Sequence, residues 1–483
     1  MLIACNSSKV SSVLAAARSA CTGETFLVND DNEAMRTLKS EADRYSPERN
    51  GGKRLECWLL LESSTALWLL QTGGLAEDVQ KKVDVFAVTA DDFMAKSLFV
   101  KLPEDGSAFP ALDRRPIGVN SSSTVHLVIF GASGLAEAIA VNTALTAHYP
   151  NYCRDHRLRT RVTIVADGIF EWRDRFMQRY QHLFDNSFHR SINLDDDCPQ
   201  CICHTPMYKD EREDFVDVEW EFVNGSTHNS ALRAKLEEWS ASETQQLTIA
   251  MCIDNPADNF AETFALPDSV YLNSIPVLCH TEDGDLMAAA RNDPKYESVM
   301  AFGSKTCRME SLAALKRMAK RVNYVYNHCF SLSDDRQICA PAEIDAGEAD
   351  RLWDAIPTLT KQYSNIFNAM AIGPKMHSLG HEPDDWRTYY ALSRQEIETL
   401  TEVEHNRWSV EELVLGFRPV SDEEQAAVEN DITMKKKLRA KKIHYDLRAF
   451  SDLRPDATGK NVYVYDLALT QSIPLIVKTC ITD

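Results

Sequence analysis

No stretch of this 483-residue chain reaches the roughly 18–20 consecutive apolar residues that a membrane helix needs. The nearest, residues 57–70, is broken by Glu62 and reads as a buried strand followed by a helix. The N-terminus lacks the basic residues and apolar core of a secretory signal, so a cytoplasmic setting is expected. Positive charge is scarce: the formal net charge is −20. That excludes a protein that embraces nucleic acid with its whole surface, because neutralising phosphates takes a basic face. Any anion site must therefore be local.

Catalytic and metal signatures are missing as well. There is no GxSxG elbow, no HExxH, no GxxxxGK[ST] and no cluster of carboxylates at catalytic spacing. These absences weigh against an enzyme, although hydride transfer, which needs few protein groups, stays open. Cys198, Cys201, Cys203 and His204 are the one set with soft ligands at zinc-like spacing. A structural zinc site draws two such pairs from separated segments and no second CxxC exists, so no metal is expected. The 13 cysteines, an odd number spread mostly through apolar segments, read as reduced core thiols.

What is present is the composition of a folded protein, 44% hydrophobic and 26% charged, long enough for about two to four domains. The chain resembles itself. Residues 83–103 align without gaps on 247–267, each reading as a buried strand, an Asp-containing turn, an amphipathic helix and a Leu-Pro stop. Upstream, 56–65 matches 219–227, 25–31 matches 162–168, and 2–9 matches 127–134. Strands alternating with helices predict parallel sheets built from right-handed crossovers. The expected fold is α/β: two tandem Rossmann-like units at 1–123 and 124–305, a helical connector at 306–344, and a mainly helical domain at 345–483.

The second unit opens on Val125-His-Leu-Val-Ile-Phe-Gly-Ala-Ser-Gly-Leu-Ala, a strand, a glycine turn and a helix start. Gly131, Ala132, Ser133, Gly134 and Leu135 offer a turn and a helix N-terminus to a pyrophosphate, and Asp167 after the next strand is placed to accept from a ribose hydroxyl. In the first unit Cys5-Asn-Ser-Ser8 replaces the glycines, while Asp30 or Asp31 keeps the acidic position. Tandem degenerate units of this pattern resemble the nucleotide-binding domains of the Trk/RCK potassium-transport regulators. The resemblance implies NAD(H) or an adenine nucleotide as ligand, a homodimer, and a protein or membrane-transporter partner rather than nucleic acid.

In the helical part, Ser393 and Glu396 form a capping box ahead of a helix over 397–415 that stops at Gly416. Its apolar stripe, Ile397, Leu400, Val403, Val410 and Val414, is interrupted by Arg407. A guanidinium facing a core must be paired, for example to Glu404, or must hold an anion. The string 400–408, the Gly416-Phe417 exit, 444–447 and the Ile-Pro-Leu near the end resemble the ryanodine-receptor repeat domain. That resemblance implies a ligand- or partner-binding module, with Glu404, His405, Arg407, Trp408 and His444 as site residues. A basic run from Lys435 and Lys436 to Lys442 can steer a phosphate-bearing ligand there, and Trp408, Phe417 and Tyr445 can stack on a base.

The expected function is a cytoplasmic sensor that binds a nucleotide in its second unit and a ligand or partner through its helical domain. Two alternatives are an NAD(P)-dependent oxidoreductase using His228 or Tyr271 as proton donor, and the soluble part of a potassium channel or transporter.

Overall fold

The computed structural model describes all residues except 20, 22, 101–108, 195–199, 205–214, 283, 330–340, 382–391, 454–461 and 483. Two parallel sheets carry the α/β part. The first has four strands, β1 (Leu2–Cys5), β2 (Thr25–Val28), β3 (Leu55–Leu61) and β4 (Val83–Thr89), in the order β2-β1-β3-β4. The second comprises β5 (Thr124–Phe130), β6 (Thr160–Ala166), β7 (His189–Asn193), β8 (Gln200–His204), β9 (Val218–Asn224), β10 (Gln245–Met251), β11 (Val277–His280) and β12 (Val299–Phe302). Its order is β12-β11-β10-β5-β6-β9-β7-β8, with only β8 antiparallel. β1, β4 and β5 are buried along nearly their whole length, as expected of strands covered on both faces.

Without the inserted β7-β8 hairpin, the second sheet numbers 3-2-1-4-5-6 in chain order from β9 to β12. That is the order of a Rossmann fold, with its switch point between β5 and β10. The first sheet is different. β3 bonds β1, whereas its sequence counterpart β9 bonds β6 and lies beyond it. By position β3 answers to β10 and β4 to β11, so the gapless match of 83–103 with 247–267 pairs segments in different places. A strand, turn and helix pattern states that a segment is buried and crosses over; it does not state on which side of the first strand the crossover lands.

The two units are joined by their helices Ala90–Phe99 and Gly134–Thr146, which pack together. Asn142 Nδ2 donates to Asp92 Oδ1 at 3.0 Å across this seam. In the helix Met309–His328, which lies in the expected helical connector, Leu312, Leu315, Met318 and Val322 are buried, and it packs on the helices that follow. The helices Ala346–Asp354 and Leu359–Met370 cover the first sheet, where Trp353 Nε1 donates to Asp84 Oδ1 at 3.0 Å and Tyr363 Oη donates to the Ala87 carbonyl of β4 at 2.7 Å. One continuous apolar cluster therefore runs from the first unit through part of the second into the helical part, while the rest of the second unit's core forms a cluster of its own. None of the eight described cysteines with assigned surroundings is in a disulfide, and six of them are buried. Among the described residues no helix is long and apolar enough to cross a membrane.

Candidate ligand-binding site

The glycine turn is filled by the protein itself. Gly131 has φ +120°, and a Cβ there would stand 2.4 Å from the Cys252 carbonyl oxygen, so glycine is required by packing against the end of β10. Ser133 Oγ donates to that carbonyl at 2.6 Å and caps the following helix by accepting from Ala136 N. At Gly134 a Cβ would lie 2.6 Å from Asp91 Oδ2, a carboxylate of the first unit. Ala132 is half-buried, Leu135 is buried in the core, and Asp167 is exposed past the end of β6. The pyrophosphate position at this helix N-terminus is thus taken up by a half-buried Asp91, whose pKa burial raises against the opposing pull of Lys9 at 3.8 Å. A cavity of only about 40 Å³ adjoins Gly134.

The acidic candidates of the first unit are likewise committed. Asp30 caps the helix Asp31–Arg44, and Asp31 accepts from Glu62 N and Ser63 N at 2.8 and 3.0 Å. His228 is exposed and pairs with Glu262 at 3.2 Å, while the buried Tyr271 hydroxyl donates to the Thr263 carbonyl. Cys198 lies outside the described residues; Cys201, Cys203 and His204 lie on β8, their side chains also outside them. Among the described residues no group of His, Cys, Asp and Glu is arranged to hold a metal.

The other expected residues converge. Glu404, His405, Arg407, Trp408, Lys435, Lys436 and His444 all line one cavity of about 980 Å³, at the large end of ligand pockets. Its walls come from the C-terminal end of the first unit's helix Ser64–Gly73, from Met309–His328, from Leu359–Met370 and from the long helix Arg394–Val414. The last is built as its sequence indicates. Ser393 and Glu396 close the capping box, and Gly416 at φ +83° allows the Gly416 and Phe417 amides to bond back to Leu413 O and Glu412 O.

Arg407 resolves toward pairing. It is 1% exposed and holds Glu404 through two hydrogen bonds of 2.8 and 2.9 Å and Glu411 through one of 2.6 Å. Lys375 also binds Glu404. Burial alone would raise the Glu404 carboxyl, but Arg407 and then Lys375 hold it at about 2. Glu411 is pushed up to about 7 by burial, which its single bond to Arg407 does not offset. His405 spends both ring nitrogens, on Asp466 Oδ2 at 3.3 Å and the Arg448 carbonyl at 2.8 Å. Lys435 pairs with Asp446 at 2.7 Å. Tyr445 is engaged by Arg448, 4.4 Å above its ring.

These pairings leave a remainder. Lys361, Lys436 and Arg439 line the cavity with no carboxylate within ion-pair distance among the described residues. Burial and then repulsion from Arg439 lower the Lys361 pKa, while Arg439 in turn pulls on the Glu412 carboxyl from beyond ion-pair distance. Three buried polar atoms on the wall also lack partners among the described residues: Asn323 Nδ2, Glu412 Oε2 and His444 Nε2. Each such group costs about 1–3 kcal/mol unless something in the cavity satisfies it. His444 Nδ1 accepts from Asp446 N at 3.2 Å, and burial with Arg439 and Lys435 holds the ring's pKa far below its usual range. The neutral ring therefore carries its proton on Nε2, a donor. Trp408 lies edge-on to His444 at 4.9 Å.

Sequence reasoning missed Lys361, Asn323 and Glu412. Glu412 was within reach, because it stands one helical turn after Trp408 on the same face. The other two come from helices separated from this one by long stretches of chain. Compared with protein-family models, with curated proteins and with solved structures, the chain shows no match.

Proposed function

We propose that the protein is a regulatory receptor whose ligand, a phosphorylated small molecule of nucleotide type, enters the cavity between the helical part and the first α/β unit. The observation that carries this reading is the trio Lys361, Lys436 and Arg439, left without carboxylate partners among the described residues of an acidic chain. Phosphates suit that trio. A heterocycle suits Trp408, with the His444 Nε2 donor and the Glu412 Oε2 acceptor available to its polar edge. Because the walls belong to different parts of the fold, a ligand that binds two of their arrangements unequally shifts the balance between them.

Calorimetry with ATP, tripolyphosphate and ribose 5-phosphate on the full chain tests this. Binding of ATP that weakens at least tenfold in Arg439→Glu, an exposed position, is the expected result. If none of the three binds, the receptor reading fails.

The strand order favours a second reading, in which NAD(H) or an adenine nucleotide occupies the β5/β10 switch point. It requires the helix Ala90–Phe99 to withdraw Asp91 from Gly134. NAD binding that is insensitive to Arg439→Glu and strengthened by Asp91→Ala would select it over the cavity.

A further inference from the structure

One cation of the cavity wall is bound in an unusual way. Lys442 has a left-handed backbone, φ +61°, one of two non-glycine residues with positive φ among the described residues. Its ammonium has no carboxylate within ion-pair distance among the described residues and instead donates to two main-chain carbonyls. One is Thr72 O, at 2.7 Å, in the last turn of the first unit's Ser64–Gly73 helix. The other is Leu415 O, at 3.1 Å, the cap of the long helix Arg394–Val414. The same ammonium lies 4.5 Å from the centre of the Phe417 ring, and burial lowers its pKa. Lys442 therefore ties the first α/β unit to the helical part from within the cavity wall, since Thr72 and Lys442 both line that cavity. A second bond, from Trp68 Nε1 to Val414 O at 3.1 Å, holds the same seam.

We propose that Lys442 is the relay of this receptor: an anion in the cavity draws its ammonium off the Thr72 and Leu415 carbonyls and so loosens the seam between the first unit and the helical part. The inference rests on the receptor reading above. A partly buried ammonium bound to carbonyl dipoles gains when a full negative charge arrives, because the attraction between two unit charges exceeds that between a charge and a carbonyl dipole. The left-handed backbone at Lys442 follows the end of the helix Thr433–Arg439 and is held by main-chain bonds, Lys442 N donating to Arg439 O at 3.1 Å and Lys442 O accepting from Arg418 N at 2.9 Å, so the stem of the ammonium starts from a fixed point.

Amide hydrogen exchange on the full chain, with and without saturating tripolyphosphate, tests the relay. Bound tripolyphosphate is expected to speed exchange at residues 68–74 at least fivefold. Lys442→Met is expected to show the faster exchange without ligand and to respond no further when saturated; Lys442→Arg is expected to keep the response. Wild-type exchange at 68–74 that is unchanged under calorimetrically proven saturation overturns the relay while leaving the receptor standing. So does a Lys442→Met variant that responds like the wild type. Failure of tripolyphosphate and ATP to bind at all overturns both.

Discussion

Two places in this molecule have the makings of an anion site, and they ended differently. The turn at Gly131–Gly134 carries the sequence motif, yet its helix N-terminus faces a carboxylate from the neighbouring unit and its glycine is demanded by a carbonyl 2.4 Å from the missing Cβ. The cavity carries no phosphate motif, yet three cations line it without carboxylate partners among the described residues, beside three unsatisfied polar atoms. A glycine-rich turn needs glycine whenever a backbone passes close. Whether a phosphate or the protein's own Cys252 and Asp91 provides that neighbour is a matter of packing. The unsatisfied buried atoms are the more telling sign, because leaving them so costs free energy that a ligand recovers, whereas the exposed cations are solvated and serve to attract an anion.

The comparison can be broken most forcefully at Arg407. Arg407→Met leaves Glu404 and Glu411 facing each other in the core with only Lys375 nearby, and is expected to destabilise the protein by about 3–5 kcal/mol in urea unfolding. A loss below about 1 kcal/mol would mean that Arg407 is held in reserve for a ligand instead of being consumed by its carboxylates. Gly131→Ala comes next. Strain at φ +120° together with the clash on Cys252 should cost about 2–4 kcal/mol, read as a lower unfolding midpoint. Unchanged stability there would reopen the turn as a ligand site.

The third test concerns pH. Glu411 titrates at about 7 in the folded chain against 4.5 for a free carboxyl. Its folded pKa is raised, so its contribution is complete below pH 4.5 and is lost as pH rises through 7. Glu404, depressed to about 2, contributes in full above 4.5 and loses its contribution as pH falls through 2. Glu411→Gln is therefore expected to gain about 1–2 kcal/mol relative to the wild type between pH 5 and pH 8. Parallel stability curves for the two proteins over that range would contradict it. The smallest effect is expected from Asp91→Asn, which should move stability by less than about 1 kcal/mol, since burial and the helix N-terminus act on this carboxylate in opposite directions. A larger loss would make Asp91 a structural cap for the helix instead of an occupant that a phosphate can displace.

The long helix was readable in advance because its signals are local: a capping box, a spaced apolar stripe and a glycine exit each act within a few residues. The gathering of Glu404, His405, Arg407, Trp408, Lys435, Lys436 and His444 was also readable, since they lie on neighbouring stretches of one domain. Lys361 and Asn323 were not, because no local pattern reports that the helices Leu359–Met370 and Met309–His328 pack beside the long helix Arg394–Val414 and its basic neighbour.

The sequence by itself determined that segments alternate between buried strands and amphipathic helices, where the main helix begins and ends, and that Arg407 needs a partner. Only the tertiary structure decided which side of β1 the third strand of the first unit joins, that Asp91 of one unit closes the turn of the other, and which cations remain without an acid. Strand and helix propensity act along a few residues of chain. Pairing of charges and closure of a turn depend on which distant surfaces come into contact, and that is fixed by burial of the whole core.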